Sequence, residues 1–158
     1  LIDAPRLHLP SWPGIVPAGL PMTRHVVAAV DEIPIGGRKI VTIRGREIGI
    51  FNVGGSFHGL INRCPHQGAP LCIGELVSRL VAPTPGDYRL TRTGEMIRCP
   101  WHCWEFDIRT GQSLCDPNSV QARAFDVAVE PGKTLVEGPF VAESVEVTVE
   151  ENYVVVTV

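Results

Sequence analysis

From Arg24 onward, short runs rich in valine and isoleucine alternate with glycine-bearing breaks: RHVVAAVDEI, RKIVTIRG, REIGIFNVGG and SFHGLIN. β-Branched side chains lose rotamer freedom in a helix and pack well on a pleated surface, so these runs predict strands. Gly36-Gly37, Arg44-Gly45 and Gly54-Gly55 lie between them, where tight hairpins need positive φ. No long stretch sustains an apolar period of 3.6 residues. In the second half, ARAFDVAVE, KTLVEG, SVEVTVE and NYVVVTV keep the same texture and predict further strands. Glu150, Glu151 and Asn152 separate the last two, which predicts a closing hairpin. Val145, Val147 and Val149 alternate with Glu146, Thr148 and Glu150, as on a strand with one buried and one wet face. The class is all-β.

Ahead of this pattern, residues 1–23 carry Pro5, Pro10, Pro13, Pro17 and Pro21, which fix φ and remove backbone donors. An extended arm is expected there, either anchored on the body by Trp12 or lying as a solvated tail. The remaining residues, 24–158, are expected to form one domain, because 158 residues at 44% hydrophobic content suffice for one core. A formal charge of −3 offers none of the basic surface that a nucleic-acid binder needs. No run of about 18 apolar residues and no charged-then-apolar leader is present, so no membrane partner and a cytoplasmic location are expected.

Five cysteines, Cys64, Cys72, Cys99, Cys103 and Cys115, are an odd number. Two of them are each followed closely by a histidine, which favours metal binding over disulfides. The segments are Cys64-Pro65-His66-Gln67-Gly68-Ala69-Pro70-Leu71 and Cys99-Pro100-Trp101-His102-Cys103-Trp104-Glu105-Phe106-Asp107. Thiolates suit iron–sulfide clusters, and neutral imidazoles add no charge. Two ferric irons, two sulfides and two thiolates sum to a neutral oxidised centre, whereas four thiolates would leave it doubly negative. An electron is then easier to add, which is why such centres reach about −150 to +300 mV. A structural zinc is the competing reading, but zinc sites favour C-x₂₋₄-C knuckles, which these segments do not follow.

The two segments resemble the cluster-binding boxes of Rieske proteins, and the resemblance extends loosely from Arg24 to the C-terminus. It implies a β-sandwich or barrel-like antiparallel base with an inserted cluster-binding lobe, about residues 60–115, holding a [2Fe–2S] cluster. It further implies that Cys64 and Cys99 take the buried iron and His66 and His102 the outer one, with imidazole edges at the surface where partners dock. The chain departs from the family in three places. The 32 residues between His66 and Cys99 are longer than usual, and long excursions are often functional or disordered. Cys103 stands where many relatives have glycine. The segment from Glu130 to Glu143 is also long.

High-potential relatives add a disulfide between the boxes and hydroxyls that donate to cluster sulfur. At those positions stand Ala69, Trp101, Trp104 and Phe106, so a low potential is expected. The W-x-F-D pattern resembles ferredoxins and oxygenases of ring-hydroxylating systems. The resemblance implies one-electron transfer from a flavin-dependent reductase to a terminal oxygenase. The alternative is a fixed electron-transfer subunit, or a detached domain, of a larger oxygenase or oxidase. No catalytic site of its own is expected: His8, His25 and His58 are scattered, and no glycine-rich dinucleotide fingerprint follows a strand. His58 reads as structural, and Cys72 and Cys115 as reduced thiols. Trp101 and Trp104 flank His102, as shields of the cluster or as loop packing.

Overall fold

The computed structural model describes residues 22–142, 145, 148 and 150–158. The expected arm, with Trp12, lies outside these residues except for Met22 and Thr23, as do Glu146, Val147 and Val149 of the expected penultimate strand. The strands form where the valine-rich runs place them: β1 (Arg24–Ala29), β2 (Arg38–Ile43), β3 (Arg46–Val53) and β4 (Ser56–Ile61). Arg44, Gly45, Gly54 and Gly55 take positive φ in the two hairpin turns, as the strand twist demands.

Among the described residues the strands make three antiparallel sheets. One has the order β1-β10-β9, with β9 (Val127–Pro131) and β10 (Asn152–Thr157). The second runs β2-β3-β4-β8, with β8 (Ala124–Phe125). Ile43, Ile48, Ile50 and Phe57 of the second sheet pack against Val27, Val154 and Val156 of the first, which makes a sandwich core. The opposite face of β3 and β4 presents Phe51, Val53 and Leu60 to a second core that contains Cys64, Cys72, Cys99 and Phe106. β3 is therefore buried on both faces, and this is why REIGIFNV shows no apolar-polar alternation.

The third sheet is built from the segment between the two boxes and from the tail of the second box: β5 (Glu75–Thr84), β6 (Asp87–Arg98) and β7 (Glu105–Asp107). The long excursion is thus a hairpin, with strands of ten and twelve residues, that carries exposed Leu80, Tyr88 and Leu90. All-β is borne out.

Two expected elements are corrected. KTLVEG is not a strand; Gly132–Glu137 forms α1. Pro131 ends β9, and one apolar contact, Leu135 against Val26, Tyr153 and Val155, satisfies a single helical turn as well as it would a strand. The closing hairpin is also replaced: β10 pairs with β1 on one edge and β9 on the other, so no edge is left for the segment that precedes it. Thr148 is held instead by a side chain, its N–H donating to the Tyr153 hydroxyl at 2.7 Å. Tyr153, Val154, Val155 and Val156 are all buried, as a central strand requires.

Candidate metal centre

Each box folds as a tight loop closed by its own backbone. In the first, the Cys64 N–H donates to the Ala69 carbonyl at 2.7 Å and the Gly68 N–H returns to the Cys64 carbonyl at 2.8 Å. In the second, the Cys99 N–H donates to the Trp104 carbonyl at 2.8 Å and the Cys103 N–H returns to the Cys99 carbonyl at 3.1 Å. The two loops are the same turn, and Cys103 occupies the place of Gly68. Both residues accordingly have left-handed φ, +81° at Gly68 and +58° at Cys103. A position with that φ favours glycine, which gives the departure at Cys103 its physical meaning.

The loops bring all four candidate ligands to one end of the molecule. Cys64 and Cys99 are buried at 2% and 1% exposure, while His66 and His102 are exposed. The imidazole rings meet edge to face with centroids 4.9 Å apart. Trp104 stacks on His66 at 4.4 Å with an 8° interplanar angle, and exposed Trp101 stands edge-on to His102 at 6.3 Å. The sequence set Trp104 beside His102; the fold lays it on His66, a contact between boxes that no local pattern reports.

Burial pushes the Cys64 thiol up, and the neighbouring Cys99 adds to this, while the backbone N–H groups of His66 and Gln67 pull it down. Two adjoining buried thiolates need cationic charge, and the N–H groups aimed at Cys64 suit a sulfur that stays anionic. Among the described residues, no group of three or more His, Cys, Asp or Glu is placed to hold a single ion. The donors come as two pairs, buried thiols and exposed imidazoles, and that division suits a two-iron centre with two protein ligands on each iron. The residues fit a [2Fe–2S] cluster.

Second-rank contacts hold the loops. The buried Asn62 side chain accepts the Cys72 N–H at 2.6 Å and donates to Glu47 at 3.1 Å, tying the first box to β3. Behind the second box, Arg98 bridges Glu105 at 2.8 Å and Glu75 at 3.2 Å across β7, β6 and β5. Asp107 accepts from Arg92 at 2.6 Å and from the Arg109 N–H at 2.8 Å. Burial raises the Asp107 carboxyl, but the Arg92 guanidinium and the backbone N–H groups of Arg109 and Thr110 together hold it below the ordinary range. Asn62 ends the SFHGLIN run, but its buried amide bonds depend on β3 beside it.

Ala69 and Phe106 are buried and carry no hydroxyl. Cys72 is buried, with its thiol pushed up to about 12 by desolvation, Cys115 is exposed, and both are free. His58 lies on β4 with Nε2 buried and without a hydrogen-bond partner among the described residues. His25 is buried beside the Thr23 hydroxyl at 2.9 Å, and His8 lies outside the described residues. No described helix is long and apolar enough to cross a membrane.

Residues 23–127 match the family described as Rieske [2Fe-2S] domain. The chain is 30% identical over 103 residues to the ferredoxin component of the naphthalene 1,2-dioxygenase/salicylate 5-hydroxylase systems of Ralstonia sp., covering 65% of this chain and 84% of that protein. It is 29% identical over 118 residues to the 3-phenylpropionate/cinnamic acid dioxygenase ferredoxin subunit of Escherichia coli strain K12, covering 75% of this chain and 96% of that subunit. Among solved structures, the ferredoxin of carbazole 1,9a-dioxygenase from Nocardioides aromaticivorans IC177 superposes with a TM-score of 0.52 at 26% identity, over 84% of this chain and 96% of that one. With two matching loops, paired donors and a family match across both boxes, this chain belongs to the Rieske [2Fe-2S] domain family.

Proposed function

We propose that Cys64 and Cys99 hold the inner iron of the cluster and His66 and His102 the outer one, and that the chain carries single electrons from a flavin-dependent reductase to a terminal oxygenase. The observation that carries this reading is the pairing of two buried thiols behind two exposed imidazoles. When bound, the cluster supplies reversible one-electron acceptance. The protein's own residues do the rest. Burial keeps water from the sulfur side, the N–H groups of His66 and Gln67 stabilise the Cys64 thiolate, and Trp104 holds the His66 ring in plane. Exposed His66 and His102 would hold the outer iron at the surface, where their imidazole edges are open to a partner. With no hydroxyl at Trp104 or Phe106 to withdraw charge from sulfur, the potential lies at the low end of the Rieske range.

In this reading residues 24–158 are one Rieske domain with its cluster lobe at about 60–115, preceded by the arm, and the protein works in the cytoplasm. The ferredoxin identity of the relatives named above supports a dissociable carrier. Exposed Leu80, Tyr88 and Leu90 on the β5–β6 hairpin favour the second reading, a subunit fixed on a larger assembly. A carrier exchanges electrons with a separate reductase at a salt-dependent rate, and a fixed subunit co-purifies with its large partner.

The test is iron and acid-labile sulfide analysis, with electron paramagnetic resonance after anaerobic dithionite reduction. Two irons, two sulfides and a rhombic Rieske signal are expected, and Cys99→Ser abolishes all three. Zinc without sulfide, or a signal of the four-cysteine type, refutes the ligand set and the carrier function with it.

A further inference from the structure

The chain is acidic overall, at −3, yet its arginines are not evenly neutralised. Arg24, Arg89, Arg92, Arg98 and Arg109 each pair with a carboxylate. Among the described residues six arginines make no ion pair, Arg38 and Arg79 apart from the others, and four of them, the exposed Arg44, Arg46, Arg63 and Arg123, lie together. They converge on two adjoining hollows that share Arg46 and Arg123. One, of about 540 Å³, also includes Arg44, and the other, of about 570 Å³, includes Arg63. Glu47 and Asp126 are the carboxylate side chains along the groove, and Glu47 is engaged by the Asn62 amide at 3.1 Å.

Strand register creates this concentration. β3 and β4 pair Ile48 with Ile61, and the Asn62 N–H to Glu47 carbonyl bond of 2.8 Å continues the ladder. One step further, Arg46 stands across from Arg63. The Ile61 N–H bonds the Arg123 carbonyl at 2.9 Å, which sets Arg123 on the other side of β4. Like charges on neighbouring strands repel, so the arrangement weakens the isolated fold and is relieved when an anion lies in the groove. The groove also reaches the cluster end. Arg63 directly precedes Cys64, and a Cβ on Gly68 would lie 3.5 Å from the Arg63 guanidinium Nε. Arg63 therefore lies over the loop that carries His66.

We propose that this arginine groove, through Arg46, Arg63 and Arg123, docks a carboxylate-rich face of the redox partner and steers it onto the His66 side of the cluster end. It rests on the electron-carrier reading above and adds the sign of the partner's surface. Steering by a local patch accelerates encounter and is screened by salt, and it acts against the repulsion that the net charge of −3 exerts on an anion.

The test uses the cluster-loaded protein, reduced anaerobically, with ferricyanide as an anionic electron acceptor in stopped flow and a polyglutamate peptide as a docking mimic in calorimetry. Wild type is expected to be oxidised more slowly as salt rises, and to bind polyglutamate at low salt. R46Q/R63Q/R123Q is expected to lose at least fivefold in the low-salt rate and tenfold in peptide affinity. R79Q, at an exposed arginine on the distant hairpin, changes neither. Visible absorbance and the rhombic resonance signal confirm that each variant is loaded. A wild-type rate that rises with salt, or peptide binding unchanged in the triple variant, overturns the groove while the cluster reading stands. Binding of anionic lipid vesicles without binding of polyglutamate overturns it as well. Absence of iron and sulfide in wild type strikes the carrier reading instead.

Discussion

Gly111 is a position where a single methyl group strikes the support of the second box. It sits in the turn after β7 with φ at +76°, and a Cβ built there lies 2.0 Å from the Ala122 carbonyl oxygen and 3.0 Å from its carbon. The same residue donates its N–H to the Asp107 carbonyl at 2.7 Å and accepts the Ala122 N–H at 2.8 Å. Gly111→Ala must therefore move the 111 and 122 backbones apart by about 1.4 Å to restore ordinary contact. That displacement breaks the Ala122 bond, leaving buried backbone groups unpaired at about 1–3 kcal/mol. The left-handed backbone adds about 1 kcal/mol for alanine. The sum is about 3 kcal/mol, or a fall in Tm of about 10 °C for a chain of this size. Gly45→Ala is the control: its φ is +73° but nothing lies within 4 Å of the added methyl, so only the backbone penalty of about 1 kcal/mol remains. The assay is thermal unfolding followed by circular dichroism and cluster absorbance, at one scan rate because cluster loss makes unfolding irreversible. Equal shifts for the two variants would refute the steric reasoning.

The other expectations are smaller. Cys103→Gly relieves a non-glycine residue at φ +58°, so Tm should rise by a few degrees, for about 1 kcal/mol, with the cluster spectrum intact. A bleached or four-cysteine-type spectrum would instead make Cys103 a ligand. Arg92→Ala removes the guanidinium that bridges Asp107 and Glu95, leaving Asp107 the Arg109 N–H and Glu95 the Arg109 side chain, and should cost about 2 kcal/mol. The depressed Asp107 carboxyl contributes stability above its ordinary value of 3.8, which is lost as pH falls through the folded value, so the variant should unfold at a higher pH than wild type on acid titration. Burial, with Arg109 nearby, lowers the His58 imidazole below 6.5. Protonation then favours the unfolded chain, and stability should fall as pH drops below about 6.5 and level off beneath the folded value. His58→Phe should flatten that segment of a urea-midpoint profile against pH; an unchanged slope removes His58 as its source.

What the sequence determined by itself is local. A thiolate and an imidazole within one turn define each box, because the ligands of a loop are set by spacing and need no distant partner. The strands β1 to β4 were legible as valine-rich runs cut by turns, and β2, β3 and β4 also pair with their neighbours along the chain. Tertiary structure decided whatever depends on segments far apart. KTLVEG became α1, because six residues with one buried leucine satisfy either period until Val26 and Tyr153 supply the surface that Leu135 covers. β10 took β1 and β9 as neighbours in place of the segment before it, since a strand buried on both faces pairs where two sheet edges are available. Trp104 lies on His66 only because two separate loops adopt the same turn and face each other. The arginine groove has no signature in composition, which reads acidic. It exists because strand register brings residues 46, 63 and 123 to one edge, and register is set by which faces are buried.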